Sequence, residues 1–526
     1  MLKSLFRTKS IEQLQAGAER GEHKLRRNLT AFDLTLFGLG AIIGAGIFST
    51  IGTAAAGNIM DGRMGAGPGL VISILIVAVA CLFTALAYAE MASMIPVSGS
   101  AYTYAYATMG ELTAWIIGWD LLLEYAVSNV AVAISWGDYA RSFLANVFHV
   151  NIPGWLAMDP RTALMLNEGA APLPLPLSAK LDMLAQARAG GAESAMFANW
   201  EALKDAPVVF GFPVTFNLLA VIITIVITYL VYRGIKESSR ANNWMVILKV
   251  LILLVVIGVG TRFISGENYA PFFPNGWRGV QTGAAIIFFA FIGFDSVSTT
   301  AEECRNPAKD LPRGILWSLG VCAVVYALIA LVVTGMLKYT QLEGIADPLA
   351  YIFEQKGFTA LAGIISAGAV VATTAALLVF QIGQPRIFMA MGRDGLLSPW
   401  FSKVSKTRGT PANATLLTGI MVAAPAAFLN ISEVVELTNI GTLFAFSLVC
   451  LGVMILRIRR PEVERRFRMP MIWVMAPLGI ASCVWLALGL PALTWERFFL
   501  WLMAGLVIYV IYGWRNSSLH RRKSNV

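Results

Sequence analysis

Twelve apolar stretches, at about 31–56, 69–95, 112–147, 213–233, 239–264, 279–304, 313–337, 359–390, 412–429, 432–457, 470–490 and 494–514, constrain this chain more than any motif in it. Crossing ~30 Å of hydrocarbon takes about 20 helical residues. In lipid the backbone N–H and C=O groups must be satisfied within the protein, so spans of this kind are helices. The expected fold class is an all-α polytopic membrane protein with 12 transmembrane helices. Several stretches exceed the needed length, which implies tilt or extension beyond the bilayer. Composition agrees, with 57% hydrophobic and only 13% charged residues in 526, where soluble domains carry about a quarter charged.

The net charge of +9 does not signal nucleic acid, because the basic residues stand in short clusters between apolar spans. With both termini inside, 28 of the 40 Lys and Arg fall on the cytoplasmic side, as the positive-inside rule expects. One inner connection, Pro96 to Glu111, carries none. Residues 1–30 have no short apolar core or small-residue cleavage site and read as an uncleaved cytoplasmic tail, and 515–526 as a second one. A multi-pass cell-membrane protein is expected. Cys81, Cys304, Cys322, Cys450 and Cys483 lie in or beside apolar segments without metal-like spacing and read as buried small hydrophobes.

Segment 148–212 is the only sizeable piece outside the membrane. Its Pro172 to Pro176 run reads as extended, and Ser178 to Leu203 as a short surface helix; neither suggests chemistry. Asp347-Pro348 is a helix-start signal within Lys338 to Gly357, which reads as a helix on the outer face.

Two spans are interrupted. The first holds Gly38-Leu-Gly-Ala-Ile-Ile-Gly-Ala-Gly-Ile-Phe-Ser-Thr-Ile-Gly-Thr53, five glycines in sixteen residues. Irregular backbone survives at membrane depth only where it is buried or lines a cavity, so Gly44-Ala45-Gly46 is either a binding site or a close helix–helix contact through small residues. The sixth span holds Phe288-Phe-Ala-Phe-Ile-Gly-Phe-Asp-Ser-Val-Ser-Thr-Thr300. An Asp near the bilayer centre is costly and marks function by default; Asp295 also reads as the N-cap of a half-helix restarting after a break, and the two are compatible. Breaks five spans apart point to an inverted-repeat transporter with its site near the midplane: 31–264 as the first repeat, 265–457 as the second, and 458–514 as two extra helices. A half-helix N-terminus offers N–H groups to a carboxylate and an opposed end offers carbonyls to an ammonium, so an amino acid suits the site.

The chain resembles the amino acid–polyamine–organocation superfamily, near its cationic amino acid transporter branch. The resemblance rests on Gly40-Ala-Ile-Ile-Gly-Ala-Gly-Ile-Phe48, Tyr88-Ala-Glu-Met91, Pro96-Val-Ser-Gly-Ser-Ala-Tyr102 and Trp119-Asp-Leu-Leu-Leu-Glu-Tyr125. Phe291-Ile-Gly-Phe-Asp295, Glu302-Glu-Cys-Arg-Asn-Pro307 and Gly392-Arg-Asp-Gly395 complete it. The long 148–212 segment departs from the pattern. The resemblance implies a substrate carboxylate against the backbone of Ile43, Gly44, Ala45 and Gly46. It implies an ammonium near the carbonyls of Ile42, Phe289 and Ile292, with Phe289 and Phe291 as aromatic lids. Ala290 and Asp295 complete the expected substrate-binding set.

Lys249 is the only basic residue deep in a span, about ten residues in from the cytoplasmic edge. Its stem of roughly 6 Å does not cover the ~15 Å rise of those residues, which disfavours snorkelling. A lysine at that depth finds a partner or loses its proton, which makes it a proton carrier. On the resemblance its ammonium contacts carbonyls of the first break and the hydroxyl of Thr373 or Thr374. Glu124, four residues from Asp120 and on the same helix face, reads either as a counter-charge to Lys249 or the substrate, or as a protonated carboxyl bonding between helices. Glu90, Glu302 and Glu303 read as gate or loop salt bridges near inner edges, and Glu433 and Glu436 as first-turn charges complementing a helix dipole. His23, His149 and His520 lie in tails or at a loop edge, which argues against a histidine relay.

No phosphate loop, His-Glu-x-x-His pair or soluble catalytic domain is present in the sequence. An enzyme, an ATP-driven pump, a cofactor and a bound metal are therefore not expected. Isolated intramembrane polar groups suit one occluded site better than a continuous pore. The function expected is secondary active amino acid transport, proton-coupled and by alternating access, of cationic or broad-range amino acids. The alternatives are an exchanger or polyamine transporter of the same fold, or a non-transporting amino acid sensor. The partners expected are the amino acid, protons and the lipid bilayer, and no nucleic acid.

Overall fold

The structure, a computed structural model, describes residues 7–10, 29–58, 62–97, 99–166, 176–189, 194, 196–234, 239–405 and 410–518, the side chains at 239–242 and 302 excepted. Most of both tails, residues 172–175 of the proline run, His23, His520 and the Glu302 side chain lie outside the described residues.

Helices dominate: α1 (Ala31–Ile42), α2 (Ala45–Ala56), α3 (Leu70–Met94), α4 (Ser100–Thr108), α5 (Glu111–Phe148), α6 (Leu177–Arg188), α7 (Trp200–Asp205), α8 (Leu218–Arg233) and α9 (Ser239–Gly260). The second half adds α10 (Gly276–Ile287), α11 (Pro307–Met336), α12 (Pro348–Gln355), α13 (Thr359–Arg393), α14 (Ala412–Phe428), α15 (Ile431–Arg459), α16 (Ile472–Ala487) and α17 (Ala492–Ile508). Among the described residues the only strands form two short antiparallel hairpins, β1 (Gly57–Asn58) with β2 (Arg63–Met64), and β3 (Val208–Val209) with β4 (Phe212–Pro213). Each of the twelve apolar stretches contains helix. Among the described residues, eight helical segments are long and apolar enough to cross a bilayer, nine if the bent pair α1–α2 counts as one, and α8, α14 and α16 are shorter apolar helices.

The 38-residue α5 is the central post, with α13, α15, α8 and α14 packed along it, while α11 lies along α3 and α1. Positive φ bounds α5 at both ends, at Gly110 with φ +104 and at His149 with φ +54. Outward faces are apolar, as on α3 (Leu75, Val79, Leu82) and α17 (Leu500, Met503, Val507), which is the reverse of a soluble protein. On α9, Leu248 and Leu251 face outward while Lys249 is fully buried. The five cysteines are buried.

The first span starts at a capping box, in which Thr30 accepts from the Asp33 N–H and Asp33 accepts from the Thr30 N–H at 3.0 Å. It breaks at Ile43–Gly44 with a 44° bend. The sixth span breaks too, but its second half is not the α-helical half expected. After α10, a 3-10 turn (Phe288–Phe291) leads to Gly293 at φ +119, then a 3-10 run from Phe294 to Glu303. The run of hydroxyls explains the tighter winding: Ser298, Thr299 and Thr300 each donate to the carbonyl three residues back, at 2.6, 2.7 and 2.8 Å.

Segment 148–212 is more than a surface helix. α6 and α7 close a small core of Leu164, Leu166, Leu184, Phe197 and Leu203. It is bolted to α15 by Arg161–Glu433 and by Asn430 donating to Thr162 Oγ1 at 2.9 Å. α12 starts where Asp347-Pro348 predicts, with Pro348 at its first turn, but the Asp347 carboxylate accepts from Ser142 of α5 instead of capping α12.

Candidate functional site

The break in the first span leaves two helix ends facing each other, and the chain treats them differently. At the α1 end, the Lys249 Nζ donates to the carbonyls of Gly40 at 2.6 Å and Ile43 at 2.8 Å. Tyr326 Oη donates to the Ile42 carbonyl at 3.0 Å. The terminal carbonyls, the negative end of the α1 dipole, are thus answered by an ammonium and a phenol. At the α2 end, Gly44 is the N-cap and no side chain caps the helix. The first intrahelical bond is Phe48 N–H to Gly44 C=O at 3.4 Å. The N–H groups of Ala45, Gly46 and Ile47 precede it and have no intrahelical acceptor. Ile43, one of the expected carboxylate donors, already gives its N–H to Leu39 at 3.0 Å as the last bond of α1.

The two breaks lie side by side. A Cβ on Gly46 would sit 2.3 Å from Ala290 Cα, and one on Gly293 2.9 Å from the Ala41 carbonyl carbon. Gly46 is therefore a close-packing glycine. Gly44, where a Cβ would stand 3.2 Å from Ala376 of α13, borders the gap itself. The close-packing reading of the glycine cluster holds at Gly46. Asp295 is buried in the first turn after Gly293, but the N-cap of the 3-10 run is Gly293 and no side chain caps it, so the expected N-cap role of Asp295 is not found.

The other expected residues divide. Phe291 packs edge-on against Tyr326 at 5.3 Å between ring centroids, and Phe289 is buried beside it in the 3-10 turn, its carbonyl accepting from the Ile292 N–H at 3.3 Å. Thr373 is buried and back-bonds to Ala369 at 2.7 Å; Thr374 accepts from Trp136 Nε1 at 2.9 Å and so links α13 to α5. Glu124 is buried within electrostatic range of Asp295 and Asp120, an acidic neighbourhood. Asp120 is fully buried against Gly441 of α15, and neither of its oxygens has a hydrogen-bond partner.

Residues 29–513 match the amino acid permease family. The chain is 43% identical over 521 residues to the branched-chain amino acid permease BcaP of Bacillus subtilis, spanning 99% of this chain and all of that one. The chain belongs to the amino acid permease family. It is also 39% identical to the methylthioribose transporter of Bacillus subtilis, over 99% of this chain and all of that one. With the vacuolar cationic amino acid transporter 4 of Arabidopsis thaliana it shares 33%, over 88% of this chain and 68% of that one. These relatives are transporters, and this permease is not an enzyme.

Sequence reasoning gave Glu90 as a gate or loop salt bridge but missed its partners, and it missed the ion pair near the other end of the bundle. Beside α2, a cavity of about 20 Å³ lined by Thr50, Thr53, Arg63, Ile286, Val435 and Glu436 has room for about one water. The Arg63–Glu436 ion pair lines it, and Thr494 of α17 donates to the same carboxylate at 2.8 Å. Glu433 does stand in the first turn of α15, whereas Glu436 lies past it and serves this pair. At the opposite end Glu90 is fully buried. It accepts from Arg457 at 2.9 and 2.6 Å and from the Met469 N–H at 2.7 Å, with Arg465 3.3 Å away. Asp394 accepts from Tyr102 at 2.6 Å and pairs with Lys9. The only advance signal for these was charge next to an apolar span, which names neither partner.

Proposed function

We propose that this permease is a proton-coupled secondary carrier of amino acids working by alternating access. Twelve crossings would be arranged as two inverted repeats, 31–264 and 265–457, with 458–514 outside them and both tails in the cytoplasm. One observation carries the reading: an uncapped α2 N-terminus opens on the same gap whose opposite wall is neutralised by Lys249. The free N–H groups of Ala45 and Gly46 suit the substrate carboxylate. Carbonyls of the sixth-span turn suit its ammonium, and Phe289 is placed to cover it. Lys249 is the proton carrier, because losing its proton removes the charge that holds the α1 end. Glu124 serves substrate or proton, among the carboxyls it neighbours.

The full-length relatives favour neutral substrates, since one is named for branched-chain amino acids and another for methylthioribose. We therefore place branched-chain amino acids within the range of this carrier, ahead of the cationic class that the motif resemblance implies. A cationic range is the second reading, favoured by the buried carboxyls of Glu124 and Asp295.

The test is uptake of labelled leucine into proteoliposomes under an imposed pH gradient, inside alkaline, with a competition panel of isoleucine, valine, arginine and lysine. Gradient-driven accumulation blocked by isoleucine and valine is the expected result. Competition by arginine and lysine alone moves the assignment to the cationic class. Counterflow without response to the gradient makes the protein an exchanger, and binding without flux makes it a sensor.

A further inference from the structure

The β3–β4 hairpin at the end of segment 148–212 has no place in the transport reading. Ala206 to Thr215 reads Ala-Pro-Val-Val-Phe-Gly-Phe-Pro-Val-Thr, ten residues without a charge. They pair as Val208 with Pro213 and Val209 with Phe212. Phe210 and Gly211 form the turn with φ of +52 and +80. Turns of that hand favour Asn, Asp or Gly, and a bulky residue at positive φ is strained. Here the position is filled by phenylalanine, and its side chain is 97% exposed, with Val208, Val209 and Phe212 about half exposed.

The hairpin is anchored where the apolar faces of two helices end. The Val214 N–H closes its base on the Pro207 carbonyl at 2.7 Å, and the Asn217 N–H binds the Ala427 carbonyl at the end of α14 at 2.9 Å. Asn217 then caps α8, accepting from the Ala220 N–H at 3.0 Å. Below that level α8 presents Ile222, Ile225 and Val226 outward, and α14 presents Ile420 and Phe428. The hairpin continues this apolar surface beyond the helix ends.

We propose that the β3–β4 hairpin is a membrane-interface anchor, with Phe210 and Phe212 inserted at the boundary between lipid headgroups and acyl chains beside α8. Phe, with Trp and Leu, forms the apolar face that interfacial segments bury at the headgroup–acyl boundary, and a charge-free tip joined to a lipid-facing wall meets lipid before it meets a protein partner. Because Arg161 ties the same segment to Glu433 of α15, the anchor would hold the segment over that end of the bundle.

The native cysteines among the described residues are all buried, so a thiol-reactive nitroxide reads Phe210→Cys selectively in the full chain. The protein is placed in phosphatidylethanolamine–phosphatidylglycerol vesicles, and power saturation compares collisions with oxygen and with a water-soluble nickel chelate. Oxygen collisions should exceed nickel collisions several-fold at Phe210→Cys and at Phe212→Cys, which is an independent reading, and fall below them at Lys204→Cys, an exposed polar control in the same segment. Nickel-dominated collisions at both hairpin sites overturn the proposal. So does spin–spin broadening that persists as lipid is added, because it assigns the hairpin to a second copy of the chain.

Discussion

Lys249→Met keeps an unbranched stem of similar length and removes the ammonium that holds the α1 end. Two charge-assisted hydrogen bonds are lost, to Gly40 at 2.6 Å and Ile43 at 2.8 Å. At about 1.5–3 kcal/mol each, the ceiling on lost stability is about 3–6 kcal/mol, reduced by whatever solvent or backbone shift reaches those carbonyls. The coupling consequence is sharper. A gradient of one pH unit carries about 1.4 kcal/mol per proton, so one proton per zwitterion sustains about tenfold accumulation. The parent protein in proteoliposomes should approach that ratio, and Lys249→Met should stay near one. Counterflow of labelled against unlabelled substrate should persist in the variant, since exchange needs the site but not net proton movement. Substrate-dependent thermal stabilisation in the same preparation shows that the variant is folded. Accumulation by Lys249→Met at the parental ratio would refute the argument, whatever its melting point.

Gly46→Ala must displace the Ala290 backbone 2.3 Å away and should lose about 1–3 kcal/mol in thermal unfolding together with uptake. Gly44→Ala meets only Ala376 at 3.2 Å and should keep its stability while uptake falls; equal stability losses at the two glycines would show that neither borders a substrate gap. Tyr326→Phe leaves the Ile42 carbonyl without its phenol donor and should cost about 1 kcal/mol, with slower uptake but an unchanged pH-gradient response, because Lys249 remains. Glu436→Gln removes the charge from a pair whose side chains are only 10% and 8% exposed, so Thr53→Cys beside the cavity should react faster with a membrane-impermeant thiol reagent; an unchanged rate would mean that the pair does not shut this end.

What the sequence disclosed follows from the range over which its signals act. Hydropathy and glycine are local, so the spans, the two breaks and the depth of Lys249 could be read directly. The family resemblance, not depth alone, assigned the lysine to the first break, where it donates to the carbonyls of Gly40 and Ile43. The 3-10 winding after Gly293 was also written locally, in the Ser and Thr run, but helix length alone masked it. Pairings between distant segments left no such trace. Arg63 and Glu436 are 373 positions apart, and Tyr326 is an ordinary aromatic in an apolar helix until the fold brings its hydroxyl to Ile42. Glu436 was misread for the same reason: near a helix start, a dipole complement and an interhelical ion pair look alike.

The same distinction explains why the uncapped start of α2 was legible and the surroundings of a substrate side chain were not. Free N–H groups at a helix start need only a glycine that cannot cap them, and Gly44 supplies this whatever the rest of the chain does. In the proposed reading, binding of the amino acid backbone would be encoded in one short stretch. The side chain would be met by residues from α5, the 3-10 run after Gly293 and α15, brought together only by packing. Among them Glu124 and Asp295 admit a cation if ionised and an aliphatic group if protonated. Their protonation state is therefore both a selectivity and a coupling variable. A carrier of branched-chain amino acids keeps these carboxyls protonated while substrate is bound, so arginine competition should strengthen as pH rises. If it weakened, the two carboxyls would lie outside the side-chain pocket.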